Sequence, residues 1–154
     1  SPGPIDQQSQ RLLDQAAATL SKVEEGLSAC KFRMTISQAM ALAQETNRYL
    51  DAKAPWRNIK TDKDATGTTL WVALNVINCL KLVLSPFLPT SSQQLHEMLG
   101  FQGTLEESGW NWWGTIEYMP PGQVLGLPKP LYTKLEPSVV EEETLRLRGE
   151  AVQG

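Results

Sequence analysis

Between Thr68 and Ser85 the chain carries Leu70, Trp71, Val72, Leu74, Val76, Ile77, Leu80, Leu82, Val83 and Leu84. Taken at 3.6 residues per turn, these side chains leave almost no polar face. A helix that is apolar nearly all round, in a chain with an ordinary share of charge, belongs at the centre of a bundle. The stretch from Leu70 to Leu88 is broken by Asn75, Asn78, Lys81 and Pro86, so it is read as a core helix and not as a bilayer span. No basic-then-apolar leader precedes it, and the expectation is a cytoplasmic protein without a membrane partner. At 154 residues, 41% apolar and 20% charged, one domain with a substantial core is expected, and no separate catalytic module.

The flanking segments supply the neighbours such a helix needs. From Ile5 to Cys30, Leu12/Leu13, Ala16/Ala17, Leu20, Val23 and Leu27 recur at spacings of three and four, one amphipathic face. A second helix is expected from about Thr35 to Asp51, with Ile36, Met40, Ala43, Asn47 and Leu50 as its buried seam. Asn47 then falls among apolar neighbours, where an amide without partners costs about 1–3 kcal/mol. It either fixes helix register or meets a ligand. Ala54-Pro55 ends this helix, because proline disfavours α geometry in the residue before it.

Residues 57–67 read as a polar turn, with Gly67 easing the start of the central helix. Pro86 and Pro89 close that helix. Thr90 or Ser91 is expected to cap a short helix through Leu95, Met98 and Leu99, stopped at Gly100. Residues 101–128 hold five glycines, three prolines and the cluster Trp110, Trp112, Trp113. They are expected either to fold over the bundle with the rings as plugs or to move. The expected fold is all-α: residues 1–4 a cut linker, residues 5–136 a helical bundle with an irregular return strap, and residues 137–154 an acidic tail with a short exposed helix.

Catalytic constellations are not visible. There is no glycine-rich phosphate cradle, and the two cysteines, Cys30 and Cys79, are far apart without a partner at metal-ligand spacing. The single histidine, His96, is read as a surface helix residue with no nucleophile beside it. No metal, catalytic residue or cofactor is assigned to this chain. The formal charge of −3 lies wholly in the tail: five acids and two arginines follow from Glu136, leaving twelve acids and twelve bases in residues 1–135. Within that balanced part Arg48, Lys53, Arg57, Lys60 and Lys63 form a basic strip broken only by Asp51 and Asp62. Such a strip steers polyanions regardless of the global charge. Trp56 sits inside it, just past the helix-stopping proline. It is either the ring that closes the end of the bundle or a platform on which an unpaired base stacks.

The run Asn47-Arg48-Tyr49-Leu50-Asp51 through Ala54-Pro55-Trp56 resembles the anticodon-binding helical domain of the methionyl-tRNA synthetase family. So do Leu84-Ser85-Pro86-Phe87-Leu88-Pro89, the segment from Leu95 to Gly100, and Pro130-Leu131-Tyr132-Thr133-Lys134-Leu135-Glu136, which is similar to that family's closing P-L-F-x-x-I-E peptide. The resemblance implies that Trp56 stacks on the anticodon at the wobble cytosine of CAU. Pro55 would set the ring's angle, and Arg57, Lys60 and Asn47 would lie against the tRNA. It implies a parent enzyme that joins methionine to tRNA(Met) with ATP, with the tRNA anticodon loop and the catalytic domain as partners and no DNA. The family's other anticodon readers, an Asn and an Arg, lie on a helix upstream of the matched region. Its HIGH-like and KMSKS-like adenylate-forming motifs are not in this sequence. Asp51 and Lys134 are implied in coupling the anticodon to the catalytic domain. Two alternatives stay open: the same domain of another class I synthetase, cysteinyl or leucyl, and a helical adaptor that binds a protein through Trp56 and the cluster Trp110, Trp112, Trp113.

Overall fold

A computed structural model of the chain describes residues 3–107, 119–120 and 122–147. Among these the architecture is all-helical: α1 (Gln7–Ser28), α2 (Phe32–Lys53), the single turn α3 (Pro55–Asn58), α4 (Lys63–Leu84), α5 (Pro89–Met98) and α6 (Pro137–Leu147). α4 packs against α1, α2, α3 and α5, and is the centre of the bundle. Leu12, Leu13, Ala16, Leu20 and Val23 of α1 meet Ala39, Leu42 and Tyr49 of α2, and Val72, Val76, Cys79, Leu80 and Val83 of α4, in one core. By length and composition α4 would pass for a membrane span, with mean hydropathy 1.5 over its best window. That window is 67% buried by protein, so its apolar character is that of a core helix.

Three local expectations are corrected. α4 starts at Lys63, not near Thr68, because the Asp62 carboxylate accepts from the Ala65 N–H at 2.9 Å and caps the helix five residues earlier. Gly67 therefore lies inside the helix and makes no turn. α5 has no side-chain cap from Thr90 or Ser91; it opens with Pro89 in its first turn after Leu88, where the missing N–H costs nothing. The buried stripe of α2 is Thr35, Ala39, Leu42, Thr46 and Tyr49, one position away from the expected seam. Met40 and Asn47 face outward.

The α2 shift has a simple cause. The Thr35 and Thr46 hydroxyls donate to the carbonyls of Lys31 (2.9 Å) and Leu42 (2.8 Å) one turn back, so both residues bury without an unmet polar group. The Tyr49 hydroxyl meets Ser9 Oγ at 2.8 Å. Gly26 permits the close crossing of α1 and α2, since a Cβ there would lie 2.3 Å from Thr35 Oγ1.

Irregular segments are tied down by polar groups of the helices. Asn75, fully buried in α4, donates to the Trp71 carbonyl (2.8 Å) and accepts from the Met119 N–H (2.6 Å). The strap is held to α5 by the Gly126 N–H on the Met98 carbonyl (2.9 Å) and by the Tyr132–Ser91 hydroxyl pair (2.7 Å). Gly100, at φ 82°, ends α5 in the left-handed region. α6 buries none of its residues, in keeping with the expected exposed tail helix. Trp110, Trp112 and Trp113 lie outside the described residues. Both cysteines are free: Cys30 is exposed, while Cys79 is buried in the core, where desolvation pushes its thiol up to about 12.

His96 is not a surface residue. It is 1% exposed, its ring stacked on Phe101 with centroids 5.1 Å apart. Nε2–H donates to the Gln102 carbonyl (3.3 Å), which leaves Nδ1 to accept from the equally buried Lys81 ammonium (3.2 Å). Lys81 also lies 4.0 Å from the centre of the Phe101 ring. A last-turn histidine gives no sequence signal of burial on its own; the packing of α5 onto α4 places it inside. Desolvation above all, with the nearby Lys81 charge, holds the imidazole below its ordinary 6.5 against the raising effect of its Gln102 hydrogen bond. The unfolded chain therefore takes up a proton near pH 6.5 that the folded chain still excludes, and stability falls as pH drops through that window. The urea midpoint is expected to decrease between pH 7.5 and 5.5, above the carboxylate range, and His96→Gln to flatten that decrease. An equal slope in the variant would show that His96 does not cause it.

Candidate nucleic-acid interface

The end of α2 sets the geometry of the site. Ala54 adopts φ 41°, ψ 57°, and its N–H still bonds the Leu50 carbonyl at 2.8 Å. The proline that follows disfavours right-handed geometry at this residue, and the left-handed turn redirects the chain into α3. There Pro55 is buried, while Trp56, the next residue around the turn, is 59% exposed. Within this turn Pro55 is thus the residue that packs inward, and Trp56 the one that is exposed. Asn58 Nδ2 donates back to the Lys53 carbonyl (3.2 Å), and the Asp62 N–H to the Asn58 carbonyl (2.8 Å), fixing both edges of the turn.

The basic strip divides by its partners. Arg48 pairs with Glu45, and Lys53 with Asp6. Arg57, Lys60 and Lys63 are exposed and make no ion pair among the described residues. The uncompensated charge therefore lies on and just after α3, beside the exposed ring. Asn47 is exposed on α2, so its amide needs no internal partner. Asp51 and Lys134 are both exposed and make no contact with each other. The Asp62 cap and the strap anchors on α5 lie toward opposite ends of α4, a helix about 33 Å long at 1.5 Å per residue.

A feature the sequence reading missed sits on the inner side of α3. Pro55 and Asn58 wall a cavity of about 110 Å³ whose other lining includes Asp6, Ser9, Lys53 and Thr66. The Asp6 carboxylate is held at about 2 by its hydrogen bond from Lys53, helped by the Ser9 N–H it caps. Thr66 is 4% exposed and its hydroxyl has no partner among the described residues. Only the packing of the α1 cap, the α2 end and the α4 start brings these groups together; the sequence places Asp6 and Thr66 sixty positions apart.

With this geometry in view, the family model for the anticodon binding domain of methionyl tRNA ligase matches residues 1–152. The chain belongs to that family. Methionine–tRNA ligase of Dehalococcoides mccartyi is 50% identical over 137 residues, covering 88% of this chain and 24% of the relative. That of Thermomicrobium roseum is 40% identical over 169 residues, covering 95% of this chain and 29% of the relative. The chain thus spans about a quarter of the length of these relatives. The apo methionyl-tRNA synthetase of Mycobacterium tuberculosis superposes with a TM-score of 0.77 over 89% of this chain and 28% of that one. At 21% identity that likeness speaks for the fold alone. The cysteinyl, leucyl and adaptor alternatives are not favoured by these matches.

Ala54, like Cys30 at φ 55°, holds a Cβ-bearing residue in left-handed geometry, which costs roughly 1–2 kcal/mol. Ala54→Gly is expected to raise the thermal midpoint by a few degrees, with the helical circular dichroism and Trp56 exposure unchanged. A lowered midpoint would show that this conformation is not held in solution.

Proposed function

We propose that this chain presents Trp56 to the anticodon loop of tRNA(Met), as part of a cytoplasmic enzyme that joins methionine to that tRNA at the expense of ATP. The observation that carries this reading is an exposed indole held out on a buried proline, with Arg57 and Lys60 free of ion pairs beside it. An anticodon base stacked on Trp56 gains roughly 1–3 kcal/mol. Stacking accepts any base, so the choice of the wobble cytosine falls to hydrogen-bonding groups around it. Arg57 and Lys60 meet the phosphates on either side, and exposed Asn47 offers both a donor and an acceptor to the RNA. Asp51 and Lys134, exposed on α2 and on the strap, are proposed to face the catalytic domain and link it to anticodon occupancy. The bundle of residues 5–136 is the tRNA-binding unit in this reading, with residues 1–4 a linker and 137–154 an acidic tail.

The test is binding of a CAU anticodon stem-loop, followed by NMR because the affinity of this chain alone is expected to be weak. Trp56→Ala removes an exposed ring, so the circular dichroism stays that of the parent while affinity falls about 5- to 100-fold. Parent affinity falls steeply with added salt, as counterion release requires. Equal affinity of the parent and Trp56→Ala chains would remove the stacking role. Salt-insensitive binding would point to docking of a protein instead.

A further inference from the structure

The cavity behind α3 has a consequence for what the site recognises beyond a base. Its volume of about 110 Å³ exceeds the ~30 Å³ share of one water molecule and falls far short of the roughly 300–1,000 Å³ that encloses a whole small ligand. It therefore takes one polar edge of a larger molecule. Its charged groups are one carboxylate, Asp6, and one ammonium, Lys53, paired across it. A phosphate placed there would meet the Asp6 carboxylate and be repelled. A hydroxyl both donates and accepts, and so suits a site that holds an anion, a cation and an unmet alcohol together. That alcohol is Thr66, buried and without a partner among the described residues. Leaving a buried hydroxyl unsatisfied costs stability, which fits a residue kept for a ligand more than for the core.

We propose that this cavity receives the ribose edge of a nucleotide next to the one stacked on Trp56, its 2′-hydroxyl donating to Asp6 and accepting from Thr66. Pro55 and Asn58, which wall the cavity, flank Trp56 in the same turn of helix, so the ring and the cavity belong to one short element of the chain. The inference rests on the Trp56 reading. It adds that the site distinguishes RNA from DNA, for which the 2′-hydroxyl is the available mark.

The experiment uses this chain, a CAU stem-loop, and a set of the same stem-loops each carrying 2′-deoxyribose at one loop position. One of these substitutions is expected to weaken binding about threefold to tenfold, as loss of a single hydrogen bond does. Thr66→Val, which removes the unpartnered hydroxyl and keeps the side chain's shape, is expected to fold as the parent does. It should bring that ratio to within about twofold, while Thr66→Ser retains it. If no single 2′-deoxy substitution matters, or if Thr66→Val keeps the full ratio, the ribose pocket is wrong. Trp56→Ala separates the two ideas. It is expected to weaken the all-ribose and deoxy loops alike and preserve their ratio, so loss of stacking and loss of ribose discrimination are read on different axes.

Discussion

Much of the geometry traces to the clash that proline imposes on the residue before it. At Ala54 continuation of the right-handed helix into Pro55 is disfavoured, and the chain leaves through a left-handed residue that still completes the last hydrogen bond of α2. That single reversal buries Pro55 against the bundle and swings Trp56 into solvent. It also delivers the chain to Asp62, whose carboxylate starts α4. A helix stop, a platform and a helix start are thus consecutive results of one steric rule, within nine residues. The ring owes its position to backbone geometry and not to side-chain packing of its own.

The central helix shows a second economy. Its apolar faces supply the core, and its buried polar residues hold segments that have no regular structure. Asn75 spends its carbonyl on the Met119 N–H, which pins the strap to the middle of the bundle. Lys81, one turn from the end of α4, is engaged by His96 and the face of Phe101. Both are polar groups in a nearly apolar helix, and both would be costly if unmatched. Each is matched by a segment arriving from elsewhere in the chain, so the connections are fixed by the same desolvation penalty that makes these residues improbable core members.

The helical periodicity of the sequence carried the all-α class, the face of α1, the central role of α4, the stop at Pro55 and the exposed tail helix. It failed where polar side chains are buried. Thr35 and Thr46 conceal their hydroxyls in their own helix, so a pattern scored on apolar residues placed the α2 stripe one residue away and turned Asn47 inward. His96 was placed at the surface for the same reason: its partners come from a different helix and a loop. The start of α4 lies at Asp62 and not near Gly67 because a capping carboxylate, not a glycine turn, opens the helix. At the candidate site, Trp56 and Arg57 were legible because the proline announces them locally. The cavity was not, since Asp6, Lys53 and Thr66 converge only through the packing of α1, α2 and α4.

Charge explains how a chain of net −3 can still face a polyanion. Electrostatic steering is decided within about 8 Å at physiological salt, so the sum over the whole chain matters less than the charges left uncancelled at one end of the bundle. There Asp6 is spent on Lys53 and on the cap of α1, and Asp62 on the cap of α4. Asp51 and Asp64 are the acids of that stretch without such an engagement, against Arg57, Lys60 and Lys63. Capping thus does two things at this end: it starts the helices, and it turns two carboxylates toward backbone N–H groups. What stands beside the aromatic ring is a set of cations, Arg57, Lys60 and Lys63, without an ion pair among the described residues, on a chain whose net charge alone argues against a polyanion.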